Sequence, residues 1–236
     1  MRRLVVLALL ASLTFAAYPN LQLWYRAQDT TGVTTTRDCS GNGRNGTISG
    51  SKVCATARGQ QCWYFDGTGN YVVTPSFGLS GTVTIFACWV RCKDNAAIQS
   101  FIGEWDGGQP QVYIQRKNGT NALWVLYGGD IRVAANFFAT PFNDVWLHLC
   151  VVSDYTGKYC YVYRNGTLFY SSAISGTPVF PPKTQARYIG AYGPNREPVV
   201  DGYLANVQLW TLPTMPPLAV MKASVARIAA GLMPCW

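Results

Sequence analysis

One histidine and eight cysteines are the residues of this 236-residue chain that would stand out as reactive. His148 lies in an apolar, strand-like run and no G-x-S-x-G elbow occurs, so the sequence does not assemble a serine-nucleophile site. A single imidazole also excludes a multi-histidine metal centre. The cysteines are Cys39, Cys54, Cys62, Cys88, Cys92, Cys150, Cys160 and Cys235, and their spacings supply no pair of C-x-x-C motifs, which argues against zinc. In an oxidising compartment they read first as disulfide bridges, each worth about 2–4 kcal/mol, and a cysteine nucleophile is disfavoured for the same reason. Turns between Cys39, Cys54 and Cys62 favour local bridging there, and the sequence does not choose the remaining partners.

The N-terminus points to that compartment. Arg2 and Arg3 precede an apolar run over residues 4–17 that closes on Thr14, Phe15, Ala16 and Ala17. Residues 1–17 are therefore expected to be a secretory signal peptide, cleaved near Ala16 or Ala17, leaving a mature domain over 18–236. The run is shorter than the roughly 20 apolar residues of a membrane span, and the mature chain has no such stretch. Losing two arginines takes Lys+Arg from 19 to 17 against 11 acids, a net charge of +6. Those cations are scattered singly, with Arg116-Lys117 the one adjacent pair, so no nucleic-acid partner is expected. Three N-G-T sequons, at Asn45, Asn118 and Asn165, are candidate glycosylation sites, and Asn-Gly is equally a hairpin-turn signal.

The elements that must position any site are strands. Hydrophobic residues make up 49% of the chain and charged ones only 13%, with 23 Gly and 13 Pro, which excludes disorder and favours a β-rich, turn-rich fold. Short apolar or alternating runs predict strands over 22–26, 61–65, 71–73, 82–91, 99–104, 112–116, 122–127, 146–153, 158–164, 187–189 and 202–210. Asn165-Gly166 should close a hairpin between 158–164 and 167–170. So many short strands imply two packed antiparallel sheets, with one short helix over 218–232 whose apolar positions are Val220, Ala223, Val225, Ile228 and Leu232. No internal repeat or linker divides the mature chain.

Several of these runs carry a family pattern. Asp38-Cys39-Ser40-Gly41-Asn42-Gly43-Arg44-Asn45-Gly46-Thr47, then Tyr64-Phe65-Asp66-Gly67 leading to Asn70-Tyr71-Val72, resembles D-x-S-G-N-G-x-x-G-T and F-D-G-x-x-D-Y-V of the concanavalin A-like, laminin G-like jelly-roll family. The likeness continues through the strand from Thr82 to Val90 and Ile102-Gly103-Glu104-Trp105-Asp106. It then covers Trp146-Leu147-His148-Leu149, Tyr161-Val162-Tyr163-Arg164-Asn165-Gly166, Tyr188-Ile189-Gly190-Ala191 and Gly202-Tyr203-Leu204-Ala205-Asn206-Val207.

The resemblance implies an all-β, two-sheet antiparallel jelly-roll sandwich and several sites. Many relatives hold a structural calcium with six to eight oxygen ligands. Here Asp29, Asp38 and the carbonyl of Asn42 would be its first ligands, although the family's later D-E-V acid is replaced by Ala205-Asn206. Laminarinase-type hydrolases of this fold set carboxylates at E-x-D-x-x-E on one strand face. Glu104 and Asp106 match the first two, but Gln109 replaces the third, so hydrolysis is not expected. Cys88 and Cys150 fall on neighbouring strands of the family pattern and are the first pair expected to bridge. The middle strands commonly form the ligand face, which nominates Trp105, Tyr113, Trp124 and Tyr127 as sugar-stacking rings and Asn118, Asn121 and Asp130 as polar partners. The expected function is non-enzymatic recognition of a glycan or surface glycoprotein by a secreted, surface-associated module. The rival is a structural subunit that self-assembles into a coat or filament.

Overall fold

The computed structural model describes residues 18–27, 33–50, 52–57, 60–93, 97–106, 109–117, 120–127, 130–138, 145–175, 184–193 and 196–233. The expected signal peptide, Asp29, Asn118 and Cys235 lie outside these residues.

The first third of the chain forms β1 (Leu21–Tyr25), β2 (Thr35–Thr36), β3 (Gly46–Ser49), β4 (Lys52–Ala57), β5 (Gln60–Asp66) and β6 (Tyr71–Val73). The middle forms β7 (Val83–Cys92), β8 (Gln99–Asp106), β9 (Gln109–Arg116), β10 (Leu123–Tyr127), β11 (Asp130–Ala134) and β12 (Leu147–Asp154). Next come β13 (Tyr159–Arg164), β14 (Thr167–Ala173), β15 (Arg187–Ile189), β16 (Ala191–Gly193), β17 (Arg196–Val199), β18 (Asp201–Leu212) and the helix α1 (Leu218–Ala229).

These strands make the expected two-sheet antiparallel sandwich. The first sheet runs β14-β13-β12-β7-β18-β5-β4, with β1 also on β18, and the second runs β11-β10-β9-β8-β15-β6-β3-β2. A small β16–β17 hairpin follows β15. Alternation along each strand sends one set of side chains between the sheets. There Leu23, Trp63, Phe65, Val90, Phe101, Ile114, Leu123 and Leu149 form one continuous core. The predicted Asn165-Gly166 turn is present with both residues at positive φ (51° and 81°), the backbone a two-residue I′ hairpin needs.

The helix α1 packs on the other face of the first sheet. Met221, Val225 and Ile228 pack there against Ile85, Cys150, Tyr163 and Trp210. The helix is shorter than expected, and its buried stripe is Met221, Ser224, Val225 and Ile228. Val220, Ala223 and Leu232 fall outside it, Leu232 being 53% exposed, because a repeat from Met221 sets positions 224/225 and 228 against the sheet.

The same alternation corrects the expected Cys88–Cys150 bridge. In the β7–β12 register Cys88 is opposite Leu149 and Cys150 opposite Ala87, one residue out of step. Cys88 therefore points into the inter-sheet core and Cys150 to the helix side, on opposite faces of the sheet, where their sulfurs cannot meet. Both behave as small buried apolar residues, and burial pushes both thiol pKa values up.

Candidate functional site

The outward face of the second sheet at β9, β10 and β11 brings together two of the four aromatic residues the sequence nominates, Tyr113 and Trp124. Leu123, Val125 and Ile114 point into the core, so the alternate residues Trp124, Leu126, Tyr113 and Gln115 fall on the outer face. Trp124 is half-buried, opposite Gln115 on one side and Val133 on the other. Leu126 is opposite Tyr113 and Ile131. Val133 and Ile131 are 40% and 38% exposed, which makes an open apolar border around the indole.

Polar groups frame that border. Lys117 Nζ stands 4.0 Å from the centre of the Trp124 ring, a cation–π distance. Its backbone is held by a turn in which Lys117 N–H donates to the Ala122 carbonyl at 3.1 Å and Thr120 N–H donates to the Lys117 carbonyl at 3.2 Å. Gln115 Nε2 donates to Ser100 Oγ at 2.7 Å. Toward the middle of the face, Tyr113 is only 7% exposed and its ring lies 5.4 Å from that of Tyr192. Burial, with Tyr192 second, raises its pKa. The β16–β17 hairpin lies directly on β8 here, since a Cβ at Gly103 would collide with the Tyr192 carbonyl.

Of the nominated ligand residues, Trp124 and Tyr113 thus share the face, and Tyr113 is packed rather than open. Trp105 occupies β8 opposite Pro110, and Tyr127 is opposite Asp130 across β10 and β11. Asn121 is half-buried, its carbonyl accepting Phe138 N–H at 2.9 Å. Sequence reasoning missed Lys117, Ile131, Val133, Gln115 and Tyr192. The alternation of 130–134 was the available signal for Ile131 and Val133. Nothing local marks Lys117 as the partner of a ring seven residues on.

A model of the family described as Concanavalin A-like lectin/glucanases superfamily (Laminin_G_3) matches residues 66–215. The chain belongs to this family. Among solved structures, the receptor-binding domain of botulinum neurotoxin mosaic serotype C/D is similar at a TM-score of 0.65 and 10% identity, over 90% of this chain and 51% of that one. Domain 4 of AbnA, a GH43 extracellular arabinanase from Geobacillus stearothermophilus, in complex with arabinotriose, is similar at a TM-score of 0.66 and 18% identity, over 89% and 98%. The binding domain of Paraclostridial Mosquitocidal Protein 1 gives 0.63 and 15%, over 90% and 52%. The chain spans about half the length of the toxin binding domains it matches. Identities this low establish the shared fold. No curated protein sequence matches the chain.

In this laminin G-like domain two of the residues with catalytic or metal-binding spacing, Glu104 and Asp38, are engaged in structural contacts. Glu104 Oε2 lies 2.9 Å from Arg187 Nε between the sheets, each side chain 2% exposed. That places the first acid of the hydrolase-like spacing inside the sandwich, away from any open face. Arg187 Nη1 also donates to the Phe77 carbonyl at 3.1 Å, and burial lowers the Arg187 pKa while Glu104 opposes the shift.

Asp38 is equally occupied. Its Oδ1 accepts the backbone N–H groups of Trp24 (3.0 Å) and Ser40 (2.9 Å), and its Oδ2 accepts Ser40 Oγ–H (2.7 Å) and Arg44 N–H (3.0 Å). Four donors fill the lone pairs of one carboxylate, so Asp38 as placed does not fit a calcium ligand. Asn42 Nδ2 meanwhile donates to the Leu21 carbonyl at 2.7 Å, tying the same loop to β1. No group of three or more His, Cys, Asp or Glu side chains is arranged for a metal among the described residues.

Two sequon asparagines are exposed and turn their amide oxygens inward. Asn45 Oδ1 accepts Asp38 N–H at 2.9 Å, and Asn165 Oδ1 accepts His148 N–H at 2.8 Å. Cys54 and Cys62 are directly opposed in the β4–β5 register. No helix among the described residues is long and apolar enough to cross a membrane.

Proposed function

We propose that the protein is a secreted, non-enzymatic recognition module that binds carbohydrate on the β9–β10–β11 face. The observation that carries this reading is the half-buried Trp124 indole set among exposed Ile131 and Val133, with Lys117 and Gln115 at its edge. A flat ring with an apolar surround and polar neighbours is what the apolar side of a sugar ring needs for contact. The AbnA domain, a fold relative, is described in complex with arabinotriose, which supports a sugar as ligand and makes arabino-oligosaccharides a natural first probe. Secretion is supported by the basic, then apolar, then small-residue order of residues 1–17.

The test is a glycan array, including arabino-oligosaccharides, probed with folded mature protein and with the Trp124→Ala variant. Binding by the parent that the variant loses supports the reading, and equal binding by both sends the site elsewhere.

One observation favours a second reading, the structural subunit. Strand β11 is the edge of its sheet and carries Ile131 and Val133 exposed, and an apolar edge is a template for pairing with another chain. Size-exclusion chromatography separates the two, since a coat subunit assembles and a recognition module remains a small species.

A further inference from the structure

Resting on that carbohydrate-binding reading, we propose that the site selects sugars bearing a carboxylate, with Lys117 as the residue that determines the choice. The ammonium of Lys117 is held against the Trp124 ring at 4.0 Å, half-buried, and no carboxylate lies within ion-pair reach of it among the described residues. Lys93, by contrast, pairs with Asp201 at 2.8 Å. An ammonium whose described partner is a π face keeps its donors available to an anion arriving at the edge of the same ring.

The neighbours on this face do not compete for it. Gln115 is neutral and engaged with Ser100, and Leu126, Ile131 and Val133 are apolar. The mature chain of the proposed module carries 17 Lys and Arg against 11 Asp and Glu, so the long-range field also favours an anion. A neutral sugar would use the indole and the apolar border alone. A hexuronate or a sialylated sugar would add an ion pair to that contact, partly shielded from water by the indole, where it counts for more than a fully exposed pair. The shared chemistry is a ring carboxylate, and the two sources are separate arms of the test.

The experiment is titration calorimetry of the mature protein and of Lys117→Gln. The probes are oligogalacturonate, a sialylated oligosaccharide, and their neutral counterparts, each at low and raised salt. Thermal melts check that the variant is folded. The expected result is tighter binding of at least one acidic probe than of its neutral counterpart, by about fivefold or more, weakened by salt and abolished as a preference in Lys117→Gln. Whichever acidic probe shows the preference identifies the source of the carboxylate. Equal affinity for acidic and neutral probes, or an acid preference that survives Lys117→Gln, overturns this proposal while leaving the carbohydrate-binding reading standing. Loss of all glycan binding in folded parent protein overturns both.

Discussion

Glu104 and Arg187 form an ion pair of 2.9 Å sealed between the two sheets, and it joins β8 to β15 where they are hydrogen-bonded neighbours. A cavity of about 30 Å³ borders the pair, lined also by Tyr155, Thr84 and apolar side chains. Removing one charge leaves the other buried without compensation. Glu104→Gln is expected to destabilise the domain by about 3–5 kcal/mol, whereas Glu104→Gln with Arg187→Met should cost clearly less than the sum of the two single changes. Urea denaturation of the three variants checks this, and additive costs would show that the pair is not coupled.

His148 supplies a pH dependence with a definite sign. The ring is 1% exposed, packed 5.4 Å from Trp89, and burial lowers its pKa from 6.5 to about 4. The unfolded chain therefore takes up this proton first, and stability present above pH about 6.5 is lost as pH falls toward about 4. The full loss from this one group is about 3 kcal/mol. Melts between pH 7 and pH 4 should show a drop that is shallower in His148→Phe. An identical slope in both would remove His148 as its cause.

Cys88 and Cys150, on opposite faces of the first sheet, should not be joined in the native protein. Peptide mapping without reduction is expected to yield no Cys88–Cys150 species. Any of the two left as thiols should resist alkylation in the native state and react on unfolding, because both are fully buried. Recovery of the bridged peptide pair from native protein would contradict the β7–β12 register.

Asp38 ties its loop to β1 by accepting Trp24 N–H and braces the loop itself by accepting three more hydrogen bonds, from Ser40 and Arg44. Asp38→Ala should destabilise the fold by about 3 kcal/mol, a fall in Tm of about 6–12 °C for a domain of this size. The fall should be the same with calcium and with a chelator. A deficit seen only when calcium is present would assign Asp38 to a metal instead.

Much of this architecture was legible because it rests on alternation and on turn chemistry. The run that became β7 alternates from Thr82 onward, and Asn165-Gly166 between two strand-like runs signals a tight hairpin. The sites were less legible, because they depend on register. Sequence spacing puts Glu104 and Asp106 in a hydrolase-like pattern, but which face Glu104 takes is decided by Arg187, 83 residues away, arriving on β15 opposite it. Cys88 and Cys150 lie on adjacent strands as expected, and a one-residue offset separates them across the sheet. Tyr113 shares an outer face with Trp124, yet the β16–β17 hairpin, invisible as a run of its own, lays Tyr192 against it.

The central claim is that the indole of Trp124 is a sugar-binding platform and not a structural ring. Its most direct test pairs the affinity of the parent and of Trp124→Ala for the best array glycan with the Tm of both proteins. Binding should weaken by about tenfold or more while Tm falls by only a few degrees, since the ring is half-buried on an outer face and its described ring partner is Lys117. Unchanged affinity, or a collapse in Tm that accounts for the lost binding, would contradict it.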